Sequence, residues 1–120
     1  MKNEESNAQS AVFRWIDLHR NKYSALRMAF AVPNGAKRSI ITASILKREG
    51  VRRGVPDILL LSPSNGFHGL AIEMKKEKGG VISPEQKEWL KNLQEEGYAA
   101  FVCKGAEDAI DTIKRYLEKP

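Results

Sequence analysis

The sequence predicts an α/β protein in which helices pack on the faces of a mixed central sheet. Three observations lead there. Segments with helical apolar spacing alternate with segments of period two. The uninterrupted run Ile58-Leu59-Leu60-Leu61 reads as an interior strand covered on both faces. The elements then fall in the order α-β-α-β-β-α-β-α, which favours a mixed sheet.

Each element has its own signal. From Glu4 to Arg20, the residues Ala8, Val12, Trp15, Ile16 and His19 recur at helical spacing. Leu26, Met28, Phe30 and Val32 then alternate with smaller or charged residues as a strand would, and Pro33-Asn34-Gly35 ends that strand in a turn. Ser39 to Glu49 reads as a short helix with Ile40, Ala43, Ile45 and Leu46 as its apolar residues and Gly50 as its cap. After the Ile58 strand, Ser62-Pro63-Ser64-Asn65-Gly66 makes a hairpin turn and His68 to Lys76 returns as its partner. Ser83-Pro84-Glu85-Gln86 combines a serine cap, proline at the first helical position and a capping-box glutamine. Trp89, Leu90 and Leu93 are the buried stripe of that helix, and Gly97 ends it. Tyr98 to Cys103 forms the last strand, and Glu107 to Leu117 the last helix, with Ile110, Ile113 and Leu117 facing inward.

With 120 residues the chain can build one hydrophobic core, so a single domain over residues 1–120 is expected. No apolar run approaches a membrane span, and the first nine residues, MKNEESNAQ, are too polar for a signal peptide. A cytoplasmic setting is therefore expected. Cys103 is the one cysteine, which excludes an intramolecular disulfide and a multi-cysteine zinc site. The net charge of +5 favours a polyanionic partner. Its distribution says more: Lys37, Arg38, Lys47, Arg48, Arg52 and Arg53 crowd the stretch before Asp57, and Lys75, Lys76 and Lys78 follow Glu73.

Asp57, Glu73 and Lys75 are charged residues on segments that otherwise read as buried sheet. Burial of charge is costly unless the charges are paired or bind a metal. Strand alternation puts Glu73 and Lys75 on one face and Leu70, Ile72 and Met74 on the other. The hairpin brings Asp57 beside Glu73, where two carboxylates repel unless a cation or a proton lies between them. Oxygen ligands without histidine or cysteine suit Mg²⁺ or Mn²⁺, and the Met74 backbone carbonyl is a further candidate ligand. An ion-pair network of Asp57, Lys75 and Glu73 at a sheet edge is the bland reading of the same residues. His68, at a strand start, is expected to be structural, and Trp15 and Trp89 to be core.

Pro56-Asp57 followed by Glu73-Met74-Lys75 resembles the PD-(D/E)xK nuclease signature. The flanks resemble the VRR-NUC family: Pro33-Asn34-Gly35, Lys37-Arg38-Ser39, Leu46 through Asp57, His68 through Lys75, and Ser83 through Lys87. The likeness covers about Glu5 to Leu117 and is that of a stand-alone phage or bacterial member. It implies a restriction-endonuclease-like αβββαβ core and Mg²⁺- or Mn²⁺-dependent cleavage of DNA, with Holliday junctions or other branched structures as leading substrates. By the same resemblance Asp57 and Glu73 are metal ligands, Lys75 is the catalytic lysine, and Gln86 is the glutamine near the active site. Gln86 is equally accounted for by the capping box. Glu5 matches an acidic residue of the first helix that reaches the metal, although a glutamate so near the N-terminus is also at home in solvent. Arg52 and Arg53 are candidate phosphate contacts, and so are Lys37, Arg38, Lys47 and Lys76. Two symmetric nicks on a junction need two active sites, so a homodimer is expected. The alternative is a non-catalytic DNA-binding module that keeps the fold.

Overall fold

The computed structural model describes residues 2–33 and 39–118. Its elements run α1 (Lys2–His19), a 3-10 turn (Ser24–Met28), β1 (Ala29–Ala31), α2 (Ile40–Arg48), β2 (Ile58–Leu60), β3 (Leu70–Lys75), α3 (Pro84–Glu95), β4 (Ala99–Lys104) and α4 (Ala106–Leu117). The expected order holds throughout. The four strands form one sheet in the order β1-β2-β3-β4. β1 and β2 pair antiparallel, β2 and β3 form the antiparallel hairpin, and β4 lies parallel to β3. The sheet is therefore mixed.

Alternation in the strands builds two apolar layers. Ile58, Leu60, Leu70, Ile72, Met74, Ala99 and Cys103 face one way and pack with Val12 and Ile16 of α1 and Ala109, Ile113 and Tyr116 of α4. Those helical residues recur at three- and four-residue spacing, so each helix offers one stripe to the sheet. Ala71 and Ala100 face the other way and pack with Leu90 of α3, flanked by Leu59, Leu93 and Val102. Cys103 is a free, buried thiol that donates to Thr112 Oγ1 at 3.4 Å, and burial raises its pKa. Among the described residues, no helix is long and apolar enough to cross a membrane.

Three details differ from the sequence expectation. The strand anticipated around Leu26 to Val32 is shorter, because its first half winds into the 3-10 turn. Leu26 is buried there, its N–H bonded to Tyr23 O at 3.0 Å, and only Ala29 to Ala31 find partners on β2. The apolar residues of α2 do not enter either core layer: among the described residues none of the helix is buried, and Leu46 alone is partly covered. The helix holds itself by local bonds. Ser39 caps its start through Thr42 N–H, while Gly50 N–H and Val51 N–H return to Lys47 O and Leu46 O. That pair of bonds is a Schellman closure, which needs the left-handed φ of +105° at Gly50. Third, β2 is interior, but cover over the end of its apolar run is incomplete, since α3 lies over β3 and β4 and leaves Leu61 half exposed. The turn residues Asn34 and Gly35 lie outside the described residues.

Candidate active site

The site forms where β2 begins and β3 ends. Register alone brings its carboxylates together: Ile58 pairs with Ile72, so Asp57 stands one step beyond it, opposite Glu73. Asp57 Oδ2 accepts the Met74 N–H at 2.7 Å, which ties the start of one strand to the end of its neighbour. A residue's N–H and C=O leave a strand on the same edge. The Met74 carbonyl is thereby directed to the Asp57 side.

Glu73 is the unusual group. It is 2% exposed on the side of the sheet that α3 covers. Its Oε2 accepts from Gln86 Nε2 at 3.0 Å and lies 3.8 Å from Lys75 Nζ. Its Oε1 is buried with no hydrogen-bond partner among the described residues. Burial raises the Glu73 pKa from 4.5 to about 8, followed by the negative charge of Asp57 and a hydrogen bond shared with it; Lys75 opposes them, and Glu5 adds a smaller push. A buried carboxyl group with an orphaned oxygen and a second carboxylate beside it holds either a proton or a cation between them. That observation is the test of whether a divalent ion fits here, and the residues pass it. Asp57, Glu73 and the Met74 carbonyl would hold such an ion, a donor set of hard oxygens. Among the described residues, no group of three or more His, Cys, Asp or Glu side chains is assembled to hold a metal.

Gln86 completes the capping box and also reaches Glu73. Its Oε1 accepts the Ser83 N–H at 2.9 Å while its own N–H is bonded to Ser83 Oγ, completing the capping box. The amide nitrogen of the same side chain is then left to donate to Glu73. The cap thus fixes the donor that orients the buried carboxylate.

Glu5 lies in the first turn of α1, half exposed, and near enough to act electrostatically on Glu73. Arg52, Arg53 and Lys47 are exposed on the segment that runs from α2 to Asp57, and Lys76 is half-buried just after β3. Lys37 and Arg38 lie outside the described residues. His68 packs on Gly97 and edge-on to Tyr98, 5.6 Å between ring centroids. Trp15 is half-buried against the core of α1 and α4, stacked on His19, and Trp89 is half-buried on α3. Sequence reading gave no role to Gly54, yet it is a keystone of the site. Its φ is +90°, and a Cβ there would stand 2.7 Å from the backbone carbon of Glu85. Only glycine lets the arginine-bearing loop press against the start of α3. A glycine between Arg53 and Val55, directly before the Pro-Asp step, was the available signal.

Comparison with known proteins bears on the family and the fold. The family model described as the VRR-NUC domain matches residues 3–107. A solved structure titled "VRR_NUC domain protein" superposes with a TM-score of 0.82 at 32% identity, covering 95% of this chain and 88% of that one. Comparison with curated proteins gives no match. The family carries a nuclease fold and implies a divalent metal. Match length, identity and superposition agree, and the chain belongs to the VRR-NUC family.

Proposed function

We propose that this protein is a metal-dependent endonuclease that hydrolyses DNA phosphodiester bonds and selects branched structures such as Holliday junctions. The observation that carries the proposal is the buried Glu73 carboxylate, orphaned at Oε1, beside Asp57 and Lys75. A purely structural ion-pair network would satisfy its members. This one leaves a buried oxygen without a donor and a pair of carboxyl groups that needs a proton or a cation between them.

When bound, Mg²⁺ or Mn²⁺ supplies charge to polarise a phosphoryl oxygen and to lower the pKa of a nearby water. The chain supplies the rest. Asp57 is held in place by the Met74 N–H and Glu73 by Gln86, so both oxygens are set before substrate arrives. Lys75 places a positive charge beside them, where it orients the attacking water and offsets charge that builds on the phosphorane. Arg52, Arg53 and Lys47 grip backbone phosphates on the approach to Asp57, with Lys76 on the other flank. These contacts carry no sequence information, which suits a nuclease that reads DNA shape.

The test is cleavage of a synthetic four-way junction, a replication fork and plain duplex in Mg²⁺ and in Mn²⁺. Faster cutting of the branched substrates is the expected result. Binding without cleavage in either metal would favour a non-catalytic DNA-binding module instead.

A homodimer belongs to the same proposal, because paired nicks need paired sites. The exposed apolar surface supports it. Ile40 and Ile41 of α2 are 90% and 74% exposed, and Met28 at the end of the 3-10 turn, Phe30 on β1 and Leu61 just after β2 lie open where α3 does not cover the sheet. So much exposed apolar surface marks an interaction face. The expectation is a dimer by light scattering at micromolar concentration, converted to a monomer by Ile41→Asp. A monomeric parent protein would remove the dimer from the proposal and leave the single-site chemistry standing.

A further inference from the structure

Lys75 has a task that its own contacts do not fulfil. A lysine side chain is a long flexible stem carrying a point charge, and holding it in one place opposes its rotamer freedom. Among the described residues its one ion-pair contact, Glu73 Oε2 at 3.8 Å, is beyond hydrogen-bonding range and does not fix the ammonium. Yet the side chain is only 12% exposed. What covers it is the connection between β3 and α3.

That connection folds back over the strand it has just left. A Cβ built on Gly80 would stand 2.9 Å from Lys75 Cβ, 3.3 Å from Lys76 O and 3.5 Å from Lys75 Cδ. The bare Cα of Gly80 therefore rests on the aliphatic stem of Lys75, and any side chain there would displace it. Both ends of the loop are anchored. At the far end, Ser83 begins α3 and is bonded to Gln86, which holds Glu73. At the near end, Gly105 N–H donates to Lys75 O at 3.1 Å, and Glu77 lies so close over Gly105 that a Cβ there would be 2.9 Å from its carboxylate. Gly105 caps the start of α4, where the exposed N–H groups favour a carboxylate.

We propose that Gly80 is a positioning residue for the reaction, acting as a flat clamp that fixes the stem of Lys75 and so aims its ammonium. The inference rests on the nuclease reading above. The φ of Gly80 is outside the left-handed region, so alanine is allowed there by the backbone and acts through what its Cβ meets, the Lys75 stem first and the Lys76 carbonyl next. Gly79 supplies the control. Its φ is +76° and nothing lies near its missing Cβ, so alanine strains the loop without touching Lys75.

The experiment compares the full-length parent, Gly80→Ala and Gly79→Ala. Gly80→Ala is expected to lower kcat on a branched substrate by about 100-fold, the scale of an ångström's misplacement. KM and Mn²⁺ affinity by calorimetry should be unchanged, and Tm should fall no further than in Gly79→Ala. Gly79→Ala should lower Tm and keep kcat. Independently of turnover, ¹³C-lysine-labelled protein should show distinct, non-averaged methylene protons for Lys75, assigned through Lys75→Arg, and they should merge in Gly80→Ala. Parental kcat in Gly80→Ala, equal losses in both glycine variants, or an averaged Lys75 stem in the parent would each overturn the inference. A fixed Lys75 in a protein that cuts no DNA in either metal would support the clamp and remove the nuclease reading beneath it.

Discussion

Glu73→Gln is expected to lower metal-dependent DNA cleavage by roughly a thousandfold or more while leaving the protein folded. The substitution keeps the shape of the side chain and still offers an oxygen to Gln86 Nε2, so the bond that anchors the site survives. What it removes is the negative charge that a divalent cation needs, in a position with 2% exposure where water cannot substitute for it. Asp57→Asn and Lys75→Ala are expected to fall in the same range, and the losses should not add. The three groups act on one reacting phosphate, and residues that work as a unit give non-additive effects. The measurement is single-turnover cleavage of a four-way junction in Mn²⁺ by each single variant and by the Glu73→Gln/Lys75→Ala pair. Appreciable turnover by Glu73→Gln would sink the assignment of Glu73 as a metal ligand. A double variant with losses that multiply would show that the residues act on separate steps.

Much of this site was legible in the sequence because strand geometry is so regular. Period-two alternation placed Glu73 and Lys75 on one face, and the hairpin placed Asp57 within reach of them; the register Ile58 to Ile72 then put the carboxylates opposite each other. The capping box was equally local, since Ser83 and Gln86 are three residues apart. The parts that escaped depend on tertiary contact. That α2 buries none of its residues is invisible in its own spacing, because Ile40, Ile45 and Leu46 look like any buried stripe. The 3-10 turn at Leu26 competes with a strand pattern that is just as good over so few residues. Gly54 and Gly80 owe their roles to Glu85 and to Lys75, and a glycine shows nothing of what lies against it until the chain is folded.

The same buried carboxylate makes stability depend on pH in a way that metal should cancel. Glu73 titrates near 8 in the folded protein against an ordinary 4.5, so between these values the folded state holds a proton that the unfolded state has released. Stability from this group is full below pH 4.5, declines as pH rises through the window, and is gone above about 8. Each pH unit inside the window is worth at most about 1.4 kcal/mol, so the whole effect is roughly a few kcal/mol. Other titrating groups contribute their own slopes, and Glu73→Gln isolates this one: its amide cannot ionise, while everything around it is retained. In metal-free buffer the Tm of the parent protein should therefore fall relative to Glu73→Gln between pH 5 and pH 8.5. Added Mn²⁺ binds the ionised pair and not the protonated one, so it should raise the Tm of the parent more at pH 8.5 than at pH 6 and do little for Glu73→Gln. Parallel curves for the two proteins without metal would mean that Glu73 titrates as an ordinary carboxylate. A Mn²⁺ response that is equal in both proteins would place the ion elsewhere on the chain. The stability that a site gives up to hold two carboxylates together is thus the quantity that metal binding returns, and it can be read without any DNA in the tube.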